Sequence, residues 1–215
     1  MEGRTRKKCR ETYNLHLLET CAKDEFITLK TGEMMSNLWS FLGGNRGPWR
    51  VESMSALCGD ALAEVERLDI VNGDAKMAGA TWNLQGVTSN LRYANREEVA
   101  ALKAIQPVLG RAEASCAALI PIKKSAAWWN LAQDERRAIF EETSHHNAIG
   151  LEYLPAVARR LHHCRDLGGE FDFLTYFEFA PQHAGDFDEM VKRLRSQLEW
   201  EWVEREVDIR LVRES

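Results

Sequence analysis

The sequence predicts an α+β fold, an antiparallel sheet covered by helices on one face. Three observations lead there. The order strand, helix, strand, strand, helix, strand is visible twice in outline along the chain, and runs of this kind suit such a sheet. Period-2 stretches such as Phe171–Phe179 stand beside helical-period stretches such as Phe187, Met190, Val191, Leu194 and Leu198, the two signals that separate strands from amphipathic helices. The 215 residues suffice for one large domain or two small lobes with a real core. No internal repeat is demonstrable by residue identity.

Taken in order, Phe41 to Pro48 reads as loop chemistry, rich in glycine. Trp49 to Leu57 alternates enough for a strand. Ala61, Leu62, Val65 and Leu68 follow at helical spacing, and Asn72-Gly73-Asp74 is a turn. Ala80 to Thr88 is a second strand with Trp82, Leu84 and Gly86 on one side. Asn95-Arg96-Glu97-Glu98 opens a helix, its acids complementing the helix dipole. Val99, Leu102 and Gln106 share the inner face of that helix. A buried glutamine needs a partner: Gln106 either caps a backbone carbonyl or holds a guanidinium through its amide oxygen. Gly110-Arg111 ends this half. Cys116 to Lys124 is an apolar strand, and Trp128 to about Glu142 a helix. Asp166 to Glu170 turns the chain into the Phe171–Phe179 strand. The last helix ends near Glu199, and Glu206 to Arg213 is a closing strand.

The net charge of −5 supplies no general drive toward nucleic acid or acidic membranes. No apolar run approaches the roughly 18 residues of a membrane span. The five cysteines include no CxxC, a usage that points to reduced thiols in a cytoplasmic protein. Residues 1–37 differ from the rest. Arg4, Arg6, Lys7, Lys8 and Arg10 cluster there, but no apolar region of the secretory type follows. The segment reads as a poorly ordered basic extension, or as an over-long start with the natural one near Met35.

The stretch from Ser144 to Asp166 concentrates chemistry. It carries His145 and His146, a break at Pro155, then Arg159, Arg160, His162 and His163. Pro155 separates a helix or loop bearing His146 from a strand starting near Val157. In that strand Arg159, Leu161 and His163 point one way and Arg160, His162 and Cys164 the other. One arginine can therefore enter a pocket that holds His146 while its neighbour faces out. By themselves a lone histidine and an arginine pair are more often packing and a solvated face.

Ala118 to Lys124, Trp128-Trp129-Asn130, His146 with Arg159, Leu161 and His163, and Thr175-Tyr176-Phe177-Glu178 together resemble the chlorite dismutase family in order and approximate spacing. The resemblance runs roughly from Trp49 to Leu211, is strongest from Ala118 to Glu178, and includes Gly86 to Tyr93. It implies two ferredoxin-like lobes forming an α+β barrel, a short N-terminal lobe over 38–113 and a heme-binding lobe over 114–215. The cofactor it implies is heme b (iron protoporphyrin IX), and the reaction is decomposition of chlorite to chloride and dioxygen with formation of an O–O bond. His146 then matches the proximal iron ligand and Glu199 the carboxylate that accepts its second N–H. The spacing to His163 favours His146 over His145. Arg159 matches the distal arginine that draws in chlorite or another small anion, and Gln106 a glutamine that hydrogen-bonds it. Tyr93 and Lys124 match positions near the heme propionates, and Trp128 and Trp129 a tryptophan pair beside the heme or in the core. The short N-terminal lobe goes with the dimeric branch, implying a homodimer. The helix between Trp129 and His146 is slightly longer than in long-chain members. Two alternatives share the fold: coproheme decarboxylation, against which Arg159 and the short chain argue, and heme binding without turnover.

Overall fold

In the computed structural model, which describes residues 37–89 and 95–214, eight antiparallel strands close into a barrel. The strands are β1 Leu38–Gly44, β2 Trp49–Cys58, β3 Arg67–Asn72, β4 Trp82–Thr88, β5 Cys116–Lys124, β6 Val157–His163, β7 Phe173–Phe179 and β8 Val203–Arg213. The helices are α1 Arg96–Ile105, α2 Ala126–Asn130, α3 Gln133–Arg137, α4 His146–Glu152 and α5 Ala184–Arg195. Around the barrel the order is β4-β1-β3-β2 followed by β8-β5-β7-β6. Each half thus runs fourth, first, third, second, so two ferredoxin-like sheets share one barrel. One seam is the long β2–β8 ladder from Trp49–Arg213 to Cys58–Glu206. The other joins β4 to β6 through Val87–His163 and Thr88–His162.

Strand alternation gives the molecule two cores. Phe41, Leu68, Leu119, Leu174, Tyr176, Ile209 and Leu211 point inward and fill the barrel. Ala118, Ile120, Ile122, Phe173, Phe177 and Phe179 point outward and are covered by Trp128, Ile149 and the α5 residues Phe187, Met190, Val191 and Leu194. The candidate site lies in this second core.

Four expectations from the sequence are corrected. The stretch expected as a loop from Phe41 is strand β1 as far as Gly44. Its glycines are not turn residues: a Cβ on Gly43 would sit 2.3 Å from the Trp82 indole, so the strand omits a side chain to admit that ring. The helix expected over Ala61–Leu68 is absent; the segment is irregular and leads into β3. Leu62 and Leu68 bury into the barrel, and the Trp82 Nε1–H donates to the Ala63 carbonyl at 2.9 Å. Long-range packing overrides a short periodic signal. The single helix expected from Trp128 to Glu142 is broken into α2, α3 and a π-helical turn over Ala138–Thr143. Ser125 caps α2, and the Glu135 carboxylate caps α3 by accepting from the Ala132 N–H at 2.6 Å. Finally, Arg160 does not face out. It points into the barrel, its guanidinium 4.3 Å above the Trp39 ring.

Candidate active site

His146 opens α4, and local structure aims it. His145 just before it takes a left-handed backbone (φ 52°), turning the chain sharply. Glu141, from the π-helical turn, accepts from the backbone N–H of Asn147 at 2.7 Å and of Ala148 at 3.3 Å, capping α4. The buried Ser144 hydroxyl accepts from the Glu199 N–H at 3.0 Å and ties this turn to the segment after α5. His146 Nδ1 then meets Glu199 Oε2 at 2.7 Å, while Lys124 Nζ donates to Glu199 Oε1 at 2.8 Å and to its carbonyl at 3.1 Å. Burial by itself raises the Glu199 carboxyl pKa, but the Lys124 charge and the His146 contact outweigh it and bring it down to about 2. A lasting carboxylate therefore orients the imidazole. The Phe140 ring at 4.3 Å and the Trp200 ring at 6.2 Å lie nearly parallel to it. Trp200 Nε1–H donates to Glu206 at 2.7 Å, and Arg195 donates to the same carboxylate at 2.8 Å.

Arg159 lies on the outer face of β6, beside Phe177 of β7. Its side chain and that of His146 line one solvent-open cleft with an enclosed volume of about 40 Å³, walled by Ile120, Thr175, Phe177, Leu194 and Trp200. Among the described residues no hydrogen bond or ion pair engages its guanidinium. Burial lowers its pKa below the ordinary arginine value, opposed by the Glu141 charge. Gly150 of α4 leaves room for it, since a Cβ there would meet Nη1 at 3.2 Å. Gln106, the C-terminal cap of α1, donates from Nε2 to the Arg159 carbonyl at 2.7 Å. It clasps the arginine's backbone, not its guanidinium.

Among the described residues, a single imidazole and one unpaired guanidinium on a largely apolar cavity, whose other arginine, Arg195, is paired with Glu206 and Asp208, suit a cofactor held at the imidazole and an anion held at Arg159. The model of the family described as Chlorite dismutase matches residues 57–214. The chain belongs to the chlorite dismutase family. It is similar to the dimeric chlorite dismutase of Nitrobacter winogradskyi, with 52% identity over 81% of this chain and 99% of that one and a TM-score of 0.76. It is 35% identical over 100 residues to a chlorite dismutase of Ideonella dechloratans, a match spanning 46% of this chain and 34% of that protein. A mutant chlorite dismutase from Candidatus Nitrospira defluvii shares the fold, with 18% identity, a TM-score of 0.56, and 83% and 92% of the two chains covered.

Against the family pattern, the other candidates read from the sequence divide. Lys124 is 4% exposed and committed to Glu199, so it stands behind His146 and not at an open edge where a propionate would lie. Trp128 is fully buried against Trp202, with Lys124 4.7 Å from its ring. Trp129 stacks on Phe173 and donates from Nε1 to Asp172 at 2.9 Å. Tyr93 lies outside the described residues. Sequence reasoning missed Ser144, Glu141, Gly150 and Glu206. None carries a motif, because each acts through a contact that local pattern does not record. The donor set fits an iron porphyrin. With Nδ1 turned to Glu199, the imidazole keeps Nε2 for a metal. Among the described residues no three His, Cys, Asp or Glu side chains converge on a metal position.

Proposed function

We propose that this chain binds heme b through His146 and decomposes chlorite to chloride and dioxygen. The observation that supports this most is that His146, keyed to a buried carboxylate, and Arg159 line the same cavity. Heme held there would supply an iron centre able to accept and return an oxygen atom, the redox chemistry that conversion of chlorite to chloride and dioxygen requires. The chain's residues do the rest. His146 offers Nε2 to the iron while Glu199 accepts the hydrogen bond from the Nδ1–H, which raises the ligand's basicity and favours the oxidised metal. Lys124 holds Glu199 in its ionised form. Arg159 attracts chlorite, and its N–H fork retains chlorine oxyanions inside the cavity. Gln106 anchors the strand position from which Arg159 reaches. Ile120, Phe177 and Leu194 keep the cavity apolar, which strengthens each charge interaction. A homodimer is part of this reading, supported by the dimeric Nitrobacter winogradskyi relative.

The test is dioxygen release after chlorite is added to heme-loaded protein, followed with an oxygen electrode. Arg159→Ala is expected to keep its Soret band, lose about tenfold or more in turnover, the scale of a lost charge-assisted hydrogen bond, and release hypochlorite that a chlorination probe traps. His146→Ala is expected to lose heme. No dioxygen from the wild type ends the reading. Full yield from Arg159→Ala without trapped hypochlorite removes the role assigned to the guanidinium.

A further inference from the structure

The barrel interior contains a second cavity, of about 230 Å³, on the opposite side of the β6–β7 sheet from the heme cavity. Inward side chains of β1, β2, β3, β6 and β7 line it, and the Leu109–Gly110 loop borders it. Its chemistry is uneven. Trp39, Trp49, Ile70 and Leu109 form an apolar and largely aromatic wall. Arg160 enters from β6, its guanidinium stacked over the Trp39 ring at 4.3 Å. That cation–π contact uses none of the guanidinium N–H donors. Among the described residues nothing accepts a hydrogen bond from them. The carboxylate in the cavity lining, Glu178, is occupied: the Tyr176 hydroxyl donates to Oε1 at 2.9 Å, and the Gly110 N–H donates to Oε2. His162 is 1% exposed. Its Nδ1 meets the Leu174 carbonyl at 3.1 Å, so the ring proton sits there, and Nε2 has no partner among the described residues.

Arg160 is half-buried. Burial lowers its pKa and the Glu178 charge across the cavity opposes the fall, but no carboxylate takes its N–H groups among the described residues, so an entering anion gains a charge-assisted contact. We propose that the barrel interior binds a small aromatic monocarboxylate, its carboxylate held by the Arg160 fork and its ring against the indole wall. An inorganic anion leaves most of the cavity unfilled and gains nothing from Trp39 and Trp49. A dicarboxylate brings a second charge toward Glu178. Nothing in chlorite decomposition uses these residues.

The experiment is calorimetric titration of the heme-loaded protein with sodium benzoate, with the Soret band recorded in parallel. Saturable binding without a Soret shift is expected, and Arg160→Gln should weaken it about tenfold or more, the scale of a lost charge-assisted contact. Leu109→Trp, which fills the cavity and keeps the arginine, should weaken it as much. Arg160→Lys, which keeps the charge and loses the fork, should fall between. Circular dichroism melts confirm that each variant is folded. Three results overturn the proposal: no benzoate binding by the wild type at millimolar concentration; nitrate binding as tightly as benzoate, which marks a mere anion site; or benzoate binding that shifts the Soret band and survives Arg160→Gln, which marks the heme cavity.

Discussion

Gly150 shows how much a single missing side chain decides. An alanine in a helix interior ordinarily gains about 0.5–1 kcal/mol over glycine, yet a Cβ here would press on Arg159 Nη1 at 3.2 Å. Gly150→Ala is therefore expected to hold or raise the melting temperature while lowering chlorite turnover severalfold, with the Soret band unchanged; thermal melts and oxygen kinetics on one preparation check it. Glu199 is the second case. Its carboxylate serves both His146 at 2.7 Å and Lys124 at 2.8 Å. Glu199→Gln keeps the shape, removes the charge and leaves Lys124 without its counter-charge in the interior. The iron reduction potential should rise, because less negative charge reaches the imidazole; spectroelectrochemistry reads the sign. An unchanged potential would show that Glu199 only orients the ring.

At the element scale, the site depends on how α1 is tied to the segment carrying His146. Glu98 makes the tie. It caps α1 reciprocally with Asn95, takes two hydrogen bonds from Arg137 at 2.7 and 3.2 Å, and accepts from Asn147 at 3.3 Å. The Arg137 contact is the main reason its carboxyl pKa falls below the usual value. Glu98→Ala should cost roughly 1–2 kcal/mol, a cap plus a partly screened ion pair. It should also loosen Gln106 at the far end of α1 and so the Arg159 carbonyl it holds. Urea unfolding gives the first quantity. Faster amide exchange across α1, with α5 unaffected, gives the second. The π-helical turn before His146 belongs to the same logic: an extra residue in a helix shifts its face, and such turns concentrate at functional sites. Here it brings Glu141 under the start of α4.

For the whole molecule, the barrel interior couples pH to stability through His162. Burial pushes its pKa from the usual 6.5 down to about 4, with the nearby Arg160 charge adding to the fall and the Leu174 carbonyl opposing it. The unfolded chain then binds a proton below about 6.5 that the folded chain refuses until about 4. The stability from this residue is complete above that window and is lost as pH falls through it, by about 3 kcal/mol at 1.36 kcal/mol per pKa step. Urea unfolding from pH 7 to pH 4 should show this slope, and His162→Asn should flatten it. A slope that persists in the variant assigns it to other groups.

The chain by itself determined the strands of the second half nearly residue for residue. The apolar pattern is strong in Cys116–Lys124, where both faces are largely buried, while Val157–His163 was legible from the break at Pro155 before it. It also determined that Arg159 and Arg160 part to opposite faces, since that follows from the pleat. What only the tertiary structure decided depends on contacts between distant residues. Leu62 and Leu68 gave up helical spacing to fill the barrel. Gly43 became a strand residue because Trp82 needed its space. Arg160 found an interior instead of solvent because closing the barrel turned the second face of β6 inward. Lys124, matched by resemblance to a position near the heme propionates, became the buried partner of Glu199. Local pattern records what a residue prefers, and burial area is settled only when the distant halves of the sheet meet.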